Sequence, residues 1–125
     1  MSHFTEIKTQ IKDIAALAAA CKELGLPLIP NAKARGWAGD QLAAEFVIQL
    51  KGEFDVAVNR KPDGTYGMTA DWFGGIVENE VGKGCSKLNQ LYAVHKATIE
   101  ARKKGYIVTR QTGKNGNINL VMAGM

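Results

Sequence analysis

Cysteine is scarce in this chain. Cys21 and Cys85 are the only two, and neither lies in a CxxC pair or a cysteine/histidine cluster. Two thiols cannot build a disulfide framework, and such a pattern suits a reducing compartment. Histidine is as rare, with His3 and His95 alone, and zinc sites ordinarily take three or four protein ligands, so no metal and no cofactor is implied. Long apolar runs are missing too. The longest, near "DIAALAAACKELG", is too short and too closely flanked by charge to span a bilayer. The opening "MSHFTEIKTQIK" alternates polar with apolar residues and lacks the continuous apolar segment of a secretory signal. The expectation is a cytoplasmic protein without membrane attachment.

Catalytic signatures are absent as well. No GxSxG or HExxH motif occurs, and the acids are scattered singly over strands and loops rather than paired. The glycine-rich "GGIVENEVGKGC" does not make a phosphate loop, because Lys83 is followed by Gly84 and the hydroxyl of Ser86 comes late. It reads as a mobile connection.

What is present is the composition of one folded domain spanning residues 1–125, with 46% hydrophobic and 22% charged residues. The net charge of +4 is a modest excess, and only "RKKG" at Arg102 to Gly105 is dense. Basic residues in the last turn of a helix oppose its dipole, which explains that cluster without a nucleic-acid partner.

The periodicities predict the order of elements. Thr5, Ile7, Thr9 and Ile11 alternate with charged and amide residues as in a half-buried strand. Asp13 can cap a helix carrying Ile14, Leu17, Cys21 and Leu24 on one face, with Gly25 as its terminator, which places Cys21 in the core. "LPLIPNAKARGWAGDQ" reads as an irregular or edge strand running into a loop. Next come a strand with Ala44, Phe46, Ile48 and Leu50 inward and another with Phe54, Val56 and Val58 inward. The "KPDGT" turn then leads into "YGMTADWF", completing an antiparallel meander. Ser86 would cap a second helix that stops at Gly105, and "YIVTR" and "NINLVMAGM" would form a terminal hairpin. These patterns fit a two-layer α+β sandwich, a mainly antiparallel sheet with two helices packed on one face.

Two groups of residues could carry function, and a third stretch calls for comment. Tyr92, His95 and Arg102 share a sector of the second helix and could edge a small polar pocket that binds an anion or moves a proton. A lone histidine on an apolar face is more often a satisfied buried residue, here held by a backbone carbonyl, Tyr92 or Arg102. The loop "ARGWAGDQ" offers Arg35 and Trp37, residue types frequent at interface hot spots, although Trp37 could equally cap a core edge. "KGYIVTR" lacks the later aromatics of an RNA-recognition strand, so Gly105 is better explained as a helix terminator.

Taken in order, "MSHFTEIKTQIKD", "ARGWAGDQ", the meander and "LNQLYAVHKATIEARKKGY" resemble a family of small uncharacterised proteins. Its members are encoded as conserved open reading frames in algal plastids and cyanobacteria, with relatives in other bacteria. The resemblance implies a cytoplasmic or stromal protein and brings no established reaction. It marks His3, Phe4, Arg35, Gly36, Trp37, Tyr92 and His95 for attention. The resulting expectation is a non-enzymatic accessory module that binds another protein, through the Arg35 to Trp37 loop or a sheet edge. A free hairpin edge would also allow a homodimer. A ligand or catalytic pocket at Tyr92, His95 and Arg102 is the alternative, and weak nucleic-acid binding stands third.

Overall fold

The computed structural model describes residues 3–124. Its elements run β1 (Phe4–Ile7), α1 (Ile14–Leu24), β2 (Leu28–Arg35), β3 (Gln41–Ile48), β4 (Val56–Arg60), β5 (Tyr66–Asp71), α2 (Glu78–Val81), α3 (Ser86–Lys103), β6 (Ile107–Thr112) and β7 (Ile118–Ala123). The fold class is α+β, as the periodicities predict. Five strands form an open sheet in the order β1-β5-β4-β3-β2, every neighbour antiparallel, with β2 as an edge.

Local chemistry sets the first helix. Asp13 Oδ1 accepts the amides of Ala15 and Ala16 at 2.9 and 3.2 Å, satisfying two of the first-turn donors that a helix leaves unpaired. Gly25, at φ 73, ends the helix in the left-handed region. Between those caps Leu17 and Cys21 face inward, as expected. They meet Leu88 and Leu91 of α3 above Ile48, Val56, Val58 and Met68 of the sheet. Full burial of each such aliphatic side chain contributes about 1.5–3 kcal/mol, so this layer dominates the fold's stability.

The inward alternation of the opening segment outlasts its ladder. Pairing with β5 stops at Ile7, yet Thr9 and Ile11 stay buried. The Thr9 hydroxyl donates to the Tyr66 carbonyl, and the Tyr66 amide donates to the Ile11 carbonyl at 2.8 Å.

Two local expectations are corrected and a third is made more specific. Residues 74–85 are not a plain mobile connection: α2 and 3-10 turns at Phe73–Gly75 and Lys83–Cys85 occupy the segment, and Val77, Val81 and Cys85 are fully buried. Those apolar residues are spaced by four, a helical repeat that the glycines obscure. Ser86 is the first residue of α3 rather than its cap, because Cys85 takes the capping position with φ 62 and no side-chain cap bond. The terminal hairpin forms, but as a separate two-stranded sheet, β6-β7, packed near α3.

Part of the second face of the main sheet is covered by the sheet itself. Only Phe46–Ile48 of β3 pair with β4, so the far half of the β2–β3 hairpin is free to curl back. Ala34 then packs with Val47 and Ala57, flanked by Ala32, Leu42 and Ala44. Small residues at these positions let the backbones approach, and the curl carries the loop after β2 toward β1, at the opposite edge.

Candidate functional site

Where β2 ends, Arg35 and Asp55 hold the curl in place. The Arg35 amide donates to Asp55 Oδ2 at 2.9 Å, and the Asp55 amide returns a bond to the Arg35 carbonyl at 3.0 Å. The guanidinium reaches the same carboxylate through Nε at 2.8 Å and Nη2 at 2.7 Å, and Nη2 also donates to the Leu50 and Gly52 carbonyls. Burial alone would raise the Asp55 carboxyl, but the Arg35 guanidinium, with the Arg35 and Leu50 amides, outweighs it and holds the group below its ordinary range. Arg35 is thus largely committed within the fold and acts as a clamp for the loop that follows.

That loop arrives against Phe4. A side chain on Gly36 would overlap the Phe4 ring where it now stands, so the close contact between the end of β2 and strand β1 holds only with glycine unless that ring shifts. The next residue, Trp37, meets a second carboxylate. Asp71, wholly buried at the end of β5, accepts the amides of His3 and Trp37 on Oδ2 at 3.4 and 3.3 Å and that of Phe73 on Oδ1 at 3.1 Å. One side chain therefore ties three segments that are remote in sequence.

Above this knot, the Trp37 and Phe73 rings stand edge to face with centroids 6.1 Å apart. Such pairs contribute about 0.5–1.5 kcal/mol beyond area burial. Gly74 and Gly75, at φ 74 and 71, turn the chain away immediately after Phe73. Both rings nevertheless remain open to solvent, at 49% for Trp37 and 65% for Phe73. The Trp72 indole donates to the Thr5 carbonyl at 2.8 Å, whereas the Trp37 indole has no hydrogen-bond partner among the described residues. His3, Trp37, Phe73 and Asp71 border a cavity of about 280 Å³. A second cavity, of about 480 Å³, continues past Trp37 along Arg35, Asp40, Glu53 and Phe54.

Five of the sequence candidates, His3, Phe4, Arg35, Gly36 and Trp37, are thus brought to one place. Tyr92, His95 and Arg102 are not brought onto a common group. The Tyr92 hydroxyl accepts the amides of Lys12 and Asp13 at 3.1 Å each, joining α3 to the start of α1. Arg102 is exposed near the end of α3. His95 Nε2 lies 2.8 Å from Glu23 Oε1 on α1, a partner different from any weighed for it, and Arg110 of β6 grips that carboxylate with 3.0 Å bonds to both oxygens.

The Arg110 guanidinium pulls the Glu23 carboxyl down, burial opposes it, and His95 adds to the lowering, leaving it below its ordinary range. Among the described residues, no three histidine, cysteine or acidic side chains are grouped so as to hold a metal ion.

Sequence reasoning missed Asp71 and Phe73, which it placed in a continuing strand. Their signal is "ADWFGG": an acid, two aromatics and paired glycines mark a turn whose carboxylate can reach amides just beyond it.

A family model described as Protein of unknown function (DUF1257) matches residues 20–121, and the chain belongs to that family. Neither a curated protein nor a solved structure matches it.

Proposed function

We propose that this chain is a non-enzymatic accessory module that binds another protein, with Trp37 and Phe73 at the centre of its docking face. The observation carrying this reading is the way the two rings are mounted. Two separate loops are pinned by amide bonds to one buried carboxylate, and the result is a pair of half-exposed aromatics on a rigid frame. The two rings stabilise one another, yet each still leaves much of its apolar surface in water. Tryptophan is an effective interface anchor because a rigid ring loses little conformational entropy on binding.

Arg35, Gly36 and Phe4 are positioning residues in this reading, since their contacts lie within the fold. The compartment proposed is the cytoplasm or, for a plastid-encoded chain, the stroma. Cys21 and Cys85 are both buried free thiols, pushed up to about 12 by burial, with Glu78 adding to the effect at Cys85; a reducing interior suits them. No helix among the described residues is long and apolar enough to cross a membrane.

The test is affinity purification of the tagged chain from its own host with nuclease present, comparing wild type with Trp37→Ser. A stoichiometric protein retained by the wild type and released by Trp37→Ser is the expected result. Equal retention by both would overturn the assignment of the face, and retention of nucleic acid alone would overturn the function.

A further inference from the structure

The cavity bordered by His3, Trp37 and Phe73 has a specific electrostatic character. It is bordered by two aromatic rings, which are negative over their faces and positive at their edges, and by Asp71, whose carboxylate is wholly buried. Three amide hydrogen bonds orient Asp71 but do not cancel a formal charge, and among the described residues no cationic side chain is paired with it. The neighbouring cavity adds Glu53, while its one guanidinium, Arg35, is engaged by Asp55.

We infer that this cavity is a receptor for a lysine side chain of the partner: the ammonium group is drawn by Asp71 and by the open face of the Trp37–Phe73 pair, and the aliphatic stem lies along the rings. The inference rests on the protein-binding reading and gives the partner's anchor a chemistry. Cation–π attraction is strongest over indole and grows when water is excluded. A charge held in a low-dielectric setting acts with less screening than one at the surface. Lysine fits better than arginine here. Both Asp71 oxygens already accept amides and the group is buried, so no free carboxylate edge faces the cavity to receive a guanidinium fork, whereas a compact ammonium needs only the field and the ring faces. The four-carbon stem can cover apolar ring surface while the head remains charged.

The experiment is a titration of the isotope-labelled full chain, followed by amide and indole NMR shifts. Its probes are Nα-acetyl-lysine N-methylamide and the neutral, similarly shaped Nα-acetyl-norleucine N-methylamide. The lysine probe should move the amides of His3, Trp37 and Phe73 and the Trp37 indole saturably, with a Kd about tenfold lower than that of norleucine. In Phe73→Leu, which keeps apolar cover but loses a ring face, and in Asp71→Asn, which keeps an acceptor but loses the charge, the preference for lysine should fall toward parity. Phe73→Leu leaves the amide knot in place, so the result does not depend on Asp71→Asn keeping the loop folded.

Equal shifts with both probes would overturn the lysine assignment while leaving an apolar docking site and the proposed function standing. Shifts with neither probe, alongside Trp37-dependent retention of a partner, would overturn it too and leave the function untouched. Lysine-selective binding with no Trp37-dependent partner would uphold the receptor and remove the accessory-module reading.

Discussion

Trp37 and Phe73 at one end of the sheet, and Tyr106, Ile107, Val121 and Met122 on the terminal hairpin, all leave apolar surface in water, but they are mounted differently. The first pair stands on buried carboxylates, with Asp71 holding three amides and Asp55 holding Arg35. The hairpin is a two-stranded ribbon fastened at half-exposed groups, among them the Arg110 fork on Glu23 and Ile118 against the core. A two-stranded sheet cannot bury both faces by itself, so exposure on β6 and β7 follows from geometry. The Trp37 loop has a costly internal frame and still points its rings outward. Exposure alone therefore does not distinguish the two surfaces, whereas the buried polar anchors under Trp37 and Phe73 do.

The largest effect expected from this contrast is at Asp55, whose side chain is only 3% exposed. Asp55→Ala leaves two amides and a guanidinium without their acceptor and should cost about 3 kcal/mol, measurable by urea unfolding. Arg35 remains 42% exposed and can regain water, which keeps the figure below that of a fully buried pair. A loss under about 1 kcal/mol would mean that the clamp does not secure the frame.

Gly36→Ala comes next, at about 2 kcal/mol, because its new methyl must displace the Phe4 ring. Adding Phe4→Ala should recover part of that loss. Strict additivity in this double-mutant cycle would show that the edge-to-edge contact is not what the glycine serves.

The same contrast explains what the sequence made legible. α1 was readable with both ends because its signals are local: Asp13 reaches amides two and three residues on, and Gly25 supplies the left-handed turn. The meander and its "KPDGT" turn were readable for the same reason, with Lys61 and Thr65 joined by a 2.7 Å bond. Asp71 was not, since its partners His3 and Trp37 lie 68 and 34 residues away and nothing in its neighbours announces them. The Glu23 partner of His95, 72 residues distant, was hidden likewise, because helical spacing gives the sector of a residue but not what packs beside it. The resemblance to known sequences gathered His3, Phe4, Arg35, Gly36 and Trp37 without saying that they meet.

At the hairpin, smaller effects are expected and they depend on pH. The Glu23 carboxyl is depressed below its ordinary 4.5 in the folded chain. Its contribution is therefore fully present above the unfolded value and is lost as pH falls through the lower folded one. Acidification below about 4.5 should speed hydrogen exchange on β6 and β7 before it reaches β3 to β5. At neutral pH, Arg110→Ala should do the same for about 0.5–1 kcal/mol, the usual worth of a half-exposed pair. Exchange that rises uniformly over both sheets would show that the hairpin is no looser than the frame.

Val121→Ser is the smallest change and bears most directly on which exposed surface matters. Val121 is 47% exposed, nearly equal to Trp37 at 49%, so the two positions differ in mounting rather than in access to solvent. Val121 pairs with Thr109 on the outward face of the ribbon, and its replacement should shift stability by no more than about 0.5 kcal/mol. Partner retention should be unchanged in Val121→Ser and lost in Trp37→Ser when both are assayed at matched folded concentration. The reverse pattern, with the partner released by Val121→Ser and kept by Trp37→Ser, would make the hairpin the docking surface and reduce Asp71 to a tie that closes the sheet.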